Sequence, residues 1–237
     1  IESLFDQIDL NLHLIFIHKG GVKGKGLLDK IKKSDVFVFL DDVQYQKNGW
    51  QNRNKIRTSD GTMWLTIPVK AHMNLKSNEI KIDYTHNWIE KHKKSLLVNY
   101  SKAKHFDDIW NELEQLYDKK FETLSQLNLE IIAFLQDNFY ISTKTLLSSE
   151  LGIKSTSSRR ILDICKQLNA DVYYSGMGYS LEEKKYLNEE DFTKNNIKIQ
   201  YQNFVHPEYM QCYEPFIPNL SSLDLLFNEG INSKNYL

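Results

Sequence analysis

The chain has 237 residues, of which 41% are hydrophobic and 26% are charged, a composition typical of soluble globular proteins. Its 30 Lys and Arg residues nearly balance 31 Asp and Glu residues, so no overall field favours nucleic acid or an acidic membrane surface. No apolar run approaches the ~18 residues that span a bilayer. The N-terminal segment is acidic before its apolar part, unlike a signal peptide. We therefore expect a cytoplasmic protein of one large or two small domains, with no membrane span and no nucleic-acid partner.

The two cysteines predict neither a disulfide framework nor a metal site. Cys165 and Cys212 are far apart in sequence and do not follow the spacing of zinc ligands. Cys165 lies on the apolar face of a predicted helix and is predicted to be a buried core residue. Cys212 follows His206 by six residues, so a Cys/His nucleophile is an alternative, although no orienting partner is identified.

Alternating strand and helix patterns open the chain. Residues 12–18 predict a buried strand, residues 27–34 a short helix, and residues 36–40 a strand that is buried on both faces. Together they predict a right-handed βαβ unit. The segment KGGVKGKG between the first strand and the helix could hold an anion or form a flexible basic loop. Its glycine spacing matches neither the dinucleotide nor the P-loop fingerprint.

Polar side chains follow the strand at residues 36–40 directly. Asp41 and Asp42 come first, then Gln44 and Tyr45, and then the donor-rich residues 50–55. In an open α/β sheet, ligands bind beyond the carboxyl ends of the strands, so this stretch predicts a ligand site. The alternative is that the two carboxylates cap a turn and that the polar run is a solvated loop.

The remaining patterns complete an α/β fold. Residues 63–69, 79–84, 143–148, 171–175 and 197–204 predict strands, and residues 88–140 predict a helical subdomain. We expect a Rossmann-like, mainly parallel sheet with a helical insertion or lid. The predicted division is an N-terminal α/β half at 1–85 with the polar stretch, a helical subdomain at 86–141, and a C-terminal α/β half at 142–237 that completes the sheet. His206 follows the last strand, and Asn219 precedes a final helix.

Several stretches resemble the WbqC-like proteins, which are bacterial proteins found with genes for surface polysaccharides and modified sugars. The matching stretches, in the order of the family, are DVFVFLDDVQYQKNGWQNRNKIRT with WLTIPV, LLSSELGI, RILDICKQLNADVYYSG, NFVHPEY and FIPNLSSLDLLFNEG. They cover residues 35–230. The chain departs from the family before Lys32, where it lacks a Gln-Pro-x-x-x-Pro-x-x-Gly-Tyr-Phe-like motif.

This resemblance implies acyl or aminoacyl transfer to the amine of a nucleotide-linked or carrier-linked amino sugar, in the synthesis of a surface polysaccharide such as O-antigen. The reaction needs a group that accepts the amine proton and donors that stabilise an oxyanion. The candidate catalytic residues are Asp42 and His206. The predicted substrate-binding residues are Asp41, Gln44, Tyr45, Trp50, Asn52, Arg53, Asn54, Tyr209 and Asn219.

Two other functions remain open. The first is a nucleotidyltransferase-like enzyme, with a divalent ion at Asp41 and Asp42 and an anion at KGGVKGKG. The second is a non-catalytic module that binds a sugar or a carrier protein. The predicted partner is a small-molecule substrate, either a nucleotide sugar or an acyl donor, with an acyl carrier protein as an optional partner. The sequence identifies no cofactor.

Overall fold

The computed structural model describes residues 14–18, 25–46, 50–70, 75–176 and 187–237, with the backbone alone described for residues 14–18. In chain order the helices and strands are β1 Leu14–His18, α1 Lys25–Lys32, β2 Val36–Phe39, β3 Arg53–Thr58, β4 Gly61–Thr66, β5 Val69–Lys70, β6 Lys81–Ile82, α2 Trp88–Tyr100, α3 Phe106–Asp118, α4 Leu124–Asn138, β7 Lys144–Leu147, α5 Ser157–Gln167, β8 Val172–Ser175, α6 Glu189–Lys194, β9 Lys198–Tyr201 and α7 Ser222–Glu229. Most of KGGVKGKG and the segment 177–186 lie outside the described residues.

The described residues group into two compact units. Unit 1 takes its residues from Ile1–Lys19, Lys30–Leu40 and Thr143–Phe204. Unit 2 takes its residues from Gly20–Asp29, Asp41–Ser142 and Val205–Leu237. The division into residues 1–85, 86–141 and 142–237 stays a prediction.

Unit 1 contains a five-stranded sheet in the order β7-β2-β1-β8-β9. Every neighbouring pair is parallel, with Val36 opposite Ile15 on one side of β2 and opposite Lys144 on the other. All four residues of β2 are buried, as expected for a strand inside a parallel sheet. Parallel neighbours need long crossover connections, and α1 lies in the connection between the neighbours β1 and β2. The mixture of helices and parallel strands agrees with the predicted α/β class.

Unit 2 contains two small antiparallel pairs, β3 with β4 and β5 with β6, together with helices α2, α3, α4 and α7. The helical pattern predicted at residues 88–140 is confirmed by α2, α3 and α4. Thr123 begins α4 with a capping box, in which its hydroxyl accepts from the Gln126 N–H at 3.3 Å. Within the part of the chain that the structure describes, no helix is both long and apolar enough to cross a membrane.

The β3–β4 hairpin corrects the interpretation of residues 50–55 as a polar loop. From Arg53 onward these residues form β3, which pairs with β4 in a register that runs from Arg53 opposite Thr66 to Thr58 opposite Gly61. Ser59 and Asp60 form the turn, and Gly61 follows with a φ of 138°, which a side chain would strain. The strand was missed because it has a single apolar residue, Ile56.

Candidate functional site

A cleft of about 490 Å³ in unit 2 is the candidate functional site. Its volume lies within the range of about 300–1,000 Å³ that is usual for small-molecule sites. The residues that line it are Trp50, Asn54, Lys55, Thr62, His206, Ile217, Pro218, Asn219 and Leu220. The structure therefore brings four predicted site residues together, namely Trp50, Asn54, His206 and Asn219.

A main-chain hydrogen bond fixes one wall of the cleft against the hairpin. The Ser221 N–H donates to the Lys55 carbonyl of β3 at 2.8 Å. The Ser221 hydroxyl then caps α7 by accepting from the Leu223 N–H at 3.3 Å. Asn219 adopts a left-handed backbone with a φ of 63°, which asparagine tolerates better than most residues. Residues 217–220 are thus held beside Asn54 and Lys55.

Two tryptophans form an aromatic platform at the hairpin. The Trp50 and Trp64 rings lie 4.9 Å apart between centroids, and both residues are more than a third exposed. Lys55 stands directly opposite Trp64 in the hairpin, and its Nζ lies 5.0 Å from that ring. The Arg53 guanidinium lies 4.5 Å from the same ring. Flat rings flanked by cations suit a sugar face or a nucleotide base next to anionic groups.

His206 is the titratable imidazole of the cleft. It is half-buried, and burial lowers the pKa of its ring below the ordinary 6.5, with the charge of Lys25 adding to the effect. A neutral imidazole at neutral pH can accept a proton from a substrate. His206 lines the cleft together with Trp50 and Asn54.

A buried carboxylate organises the core of unit 2. Asp224 accepts hydrogen bonds from the Tyr100 hydroxyl at 2.6 Å, from the Tyr209 hydroxyl, and from Gln211 Nε2 at 2.9 Å. Burial raises the pKa of Asp224, and these three hydrogen bonds oppose the rise. Sequence reasoning missed Asp224, although a carboxylate within the apolar run SLDLLF is the signal that could have found it. Tyr209, predicted to bind substrate, belongs to this buried network and does not line the cleft.

Lys25 is a second buried charged group near Asp224. It is fully buried at the start of α1, and its Nζ lies 4.1 Å from the centre of the Tyr209 ring. Among the described residues its amine has no hydrogen-bond partner. Burial lowers the pKa of Lys25 to about 8, while the charge of Asp224 opposes the shift.

Three of the remaining predicted residues, Asp41, Gln44 and Tyr45, contact residues 75–78. The Asp41 carbonyl and carboxylate accept from the main-chain and side-chain N–H groups of Asn78 at 2.8 Å and 3.2 Å. Gln44 pairs with Lys76, and the Tyr45 N–H donates to the Leu75 carbonyl at 2.9 Å. Burial raises the pKa of Tyr45, and the charge of Arg53 opposes the rise. Asp41, Asp42, Gln44 and Tyr45 are not among the residues that line the cleft, so their place in a site with His206 stays a prediction.

Asn52 and Arg53 line a second, smaller cavity of about 80 Å³ in unit 2. This cavity shares Trp50 and Asn54 with the cleft. The Asn52 side chain donates from Nδ2 to the Ile67 carbonyl at 2.9 Å, so it links β3 to the chain after β4. The donor-rich stretch at residues 50–55 thus contributes to both spaces.

Neither cysteine has the properties of a nucleophile. Cys165 is fully buried as predicted, and burial raises the pKa of its thiol to about 12. Cys212 donates to Asn228 Oδ1 at 3.3 Å, and burial raises the pKa of its thiol as well. Since the thiolate is the reactive form, both thiols are poorly reactive at neutral pH. Within the described ranges, no group of three or more His, Cys, Asp or Glu side chains is placed to hold a metal ion.

The sequence of this chain matches a known protein family. The model of the WbqC-like protein family matches residues 24–236, and the chain belongs to this family. It is 34% identical over 217 residues to a protein of Mycobacterium tuberculosis (strain ATCC 25618 / H37Rv) that is named "Uncharacterized protein Rv1507c". The match covers 90% of this chain and 92% of the mycobacterial protein. No solved structure matches the chain significantly.

Proposed function

We propose that this protein transfers an acyl or aminoacyl group to the amine of a nucleotide-linked or carrier-linked amino sugar. One observation carries the proposal: the cleft combines a half-buried His206, whose pKa is lowered, with an aromatic wall at Trp50 and with amide side chains at Asn54 and Asn219. This is the combination that amide formation on a sugar requires. A base must take a proton from the amine, and neutral donors must stabilise the oxyanion.

The chemistry balances with a thioester as the donor. The lone pair of the sugar amine attacks the thioester carbonyl carbon, forming the C–N bond, while His206 accepts a proton from the nitrogen. Asn54 Nδ2 and Asn219 Nδ2 are the neutral donors for the oxygen that becomes negative. Collapse of this intermediate breaks the C–S bond, and the departing thiolate takes the proton from His206. The products are an amide and a free thiol.

Binding of the acceptor uses the rest of the cleft. Trp50 offers a flat surface to a sugar ring or a base, and Lys55 offers a cation to a diphosphate. The family's association with polysaccharide gene clusters supports a role in surface-polysaccharide synthesis at a cytoplasmic site. The order β7-β2-β1-β8-β9, which reverses direction at β1, supports a Rossmann-like unit 1 as part of the same proposal.

The test is an assay of thiol release and amide formation. Acetyl- and glycyl-pantetheine are incubated with the protein and with UDP-linked amino sugars, and the products are followed colorimetrically and by mass spectrometry. We expect thiol release that depends on the amine, with an acid limb below pH 6.5 because the pKa of His206 lies below that value. His206→Gln should lower kcat about 10²–10⁴-fold, the usual contribution of a positioned base.

His86→Gln is the matched control, because His86 is another unit 2 histidine and its side chain is 66% exposed. It should retain full activity. Saturable sugar binding without thiol release would contradict the transferase activity and indicate a binding module. Metal-dependent turnover of a nucleoside triphosphate would replace it with a nucleotidyltransferase.

A further inference from the structure

The smaller cavity beside the cleft has a mainly apolar lining surface. It has a volume of about 80 Å³ and shares Trp50 and Asn54 with the cleft. The aliphatic residues that line it are Ile56, Leu65, Ile67, Ile131, Leu135 and Leu223. Trp50 and Asn54 border both spaces, so a group held in the cleft has an apolar space next to it.

Three polar side chains of this cavity bond main-chain carbonyls. Asn52 donates to the Ile67 carbonyl at 2.9 Å, Asn128 donates from Nδ2 to the Gln51 carbonyl at 3.0 Å, and His92 Nε2 bonds the Thr66 carbonyl at 3.1 Å. These bonds use the amide and imidazole donors that would otherwise attract a polar ligand. The surface left for a ligand is mainly hydrocarbon.

The titratable rings of the cavity are uncharged at neutral pH. Burial lowers the pKa of His92 to about 4, so its ring is neutral. Burial raises the pKa of Tyr117, so its hydroxyl stays protonated. The remaining cation, Arg53, places its guanidinium over Trp64, a ring that is not among the residues lining the cavity. An uncharged occupant is favoured over a carboxylate.

We infer that this cavity receives the hydrocarbon part of the acyl donor, a short and uncharged chain of about two to four carbons. The inference rests on the proposed transfer reaction and names its donor class. The volume of the cavity limits the length of this chain, since an apolar cavity of about 150 Å³ holds a benzene molecule and this cavity is about half as large. A hexose does not fit, so the sugar belongs in the larger cleft and the thioester carbonyl lies at Trp50 and Asn54.

The experiment is a binding series that needs no turnover. Acetyl-, propionyl-, butyryl-, octanoyl- and succinyl-pantetheine are titrated calorimetrically into the full-length protein without an amine. From acetyl to butyryl we expect the Kd to fall up to about fourfold with each methylene, the factor that complete burial of one CH₂ gives. Octanoyl-pantetheine should bind more weakly than butyryl, because its chain exceeds the cavity.

Three variants connect the length preference to this cavity. Leu65→Ala enlarges the cavity at a half-buried strand residue and should move the optimum to a longer chain. Met63→Ala is the control, because Met63 lies on the same face of β4 and does not line the cavity, so the optimum should stay. Ile131→Phe fills the space from α4 and should leave acetyl as the preferred group.

Each result decides the inference. The inference is contradicted by undetectable binding, by an affinity that does not depend on chain length or is highest for octanoyl, or by a preference for succinyl over butyryl. It is also contradicted if Leu65→Ala and Ile131→Phe leave the optimal chain length unchanged. If butyryl binds most tightly and the optimal chain length shifts in the variants, but no amine yields an amide, the acyl-binding cavity is supported and the proposed transferase activity is contradicted. Amide formation without any preference for chain length supports the transferase activity and contradicts the role of the cavity in binding the acyl group.

Discussion

Lys25 carries an amine that would normally be charged into a place that water does not reach. Its pKa of about 8 lies below the 10.5 of an exposed lysine, so folding favours the neutral form. The contribution of this group to stability is therefore fully present above about pH 10.5 and is lost as the pH falls through about 8. Below that pH the folded protein holds a protonated amine against Tyr209 at a constant cost.

Lys25→Met should remove this pH dependence. Relative to the variant, the free energy of unfolding of the wild type should fall by about 3 kcal/mol between pH 10.5 and pH 8, because one pKa unit corresponds to about 1.4 kcal/mol. Urea denaturation across pH 6–10.5 measures the difference. Lys32→Met, at an exposed position of the same helix, controls for the loss of one positive charge. Parallel stability curves for the wild type and Lys25→Met would contradict the prediction.

Four residues that the sequence pattern singles out lie together in the structure. Trp50, Asn54, His206 and Asn219 were chosen because polar or aromatic groups follow apolar strands or precede a helix, and the cleft contains all four. The hydrogen bond between Tyr100 and Asp224 joins residues 124 positions apart, and no local sequence pattern predicts such a pair. Buried polar networks depend on tertiary contacts, so the sequence showed an unusual carboxylate without showing its partners.

The β3–β4 hairpin depends on one buried arginine at its turn. Arg57 is 1% exposed and donates from Nη1 to the carbonyls of Thr58 at 2.7 Å and Gly61 at 2.8 Å. Its Nη2 donates to the Pro215 carbonyl at 3.1 Å, and its own N–H donates to the Tyr100 hydroxyl at 2.8 Å. The guanidinium therefore joins both ends of the turn to the segment that precedes the cleft wall.

Arg57→Met keeps much of the side-chain stem but leaves three main-chain carbonyls without their donor and removes a buried guanidinium. We expect the free energy of unfolding to fall by at least about 2 kcal/mol, since a single bond from a charged donor contributes about 1.5–3 kcal/mol. Urea denaturation measures the loss. Arg159→Met is the control, because that guanidinium pairs with Asp163 at 2.9 Å while 61% exposed, and such pairs contribute about 0–1 kcal/mol. Equal losses in the two variants would contradict this role.

The sequence pattern predicted some strands more clearly than others. The β2 sequence VFVF is continuously apolar and was predicted as a buried strand. The β3 sequence RNKIRT is polar, because its cations pack on Trp64 or bond main-chain carbonyls in place of forming an apolar stripe. A strand whose stability comes from cross-strand cation–π contacts and a buried guanidinium has no hydrophobic period to detect.

At the scale of the molecule, alternation along the chain was enough to predict the α/β class. Each strand of the unit 1 sheet overlaps a predicted apolar segment, and parallel pairing follows from the helices between them. The position of β7 beside β2 was not predictable, because these neighbours are separated by more than 100 residues of unit 2. Strand order depends on long-range packing, whereas strand content depends on local pattern.

The four tryptophans of the chain, at positions 50, 64, 88 and 110, all belong to unit 2. Trp88 and Trp110 are buried in helices, whereas Trp50 and Trp64 are partly open to solvent. Tryptophan fluorescence is thus a probe of one unit. Iodide should quench the hairpin pair first, and a ligand stacked on Trp50 should protect that ring from the quencher. A thermal transition visible in far-ultraviolet circular dichroism but silent in tryptophan emission belongs to the parallel sheet of unit 1.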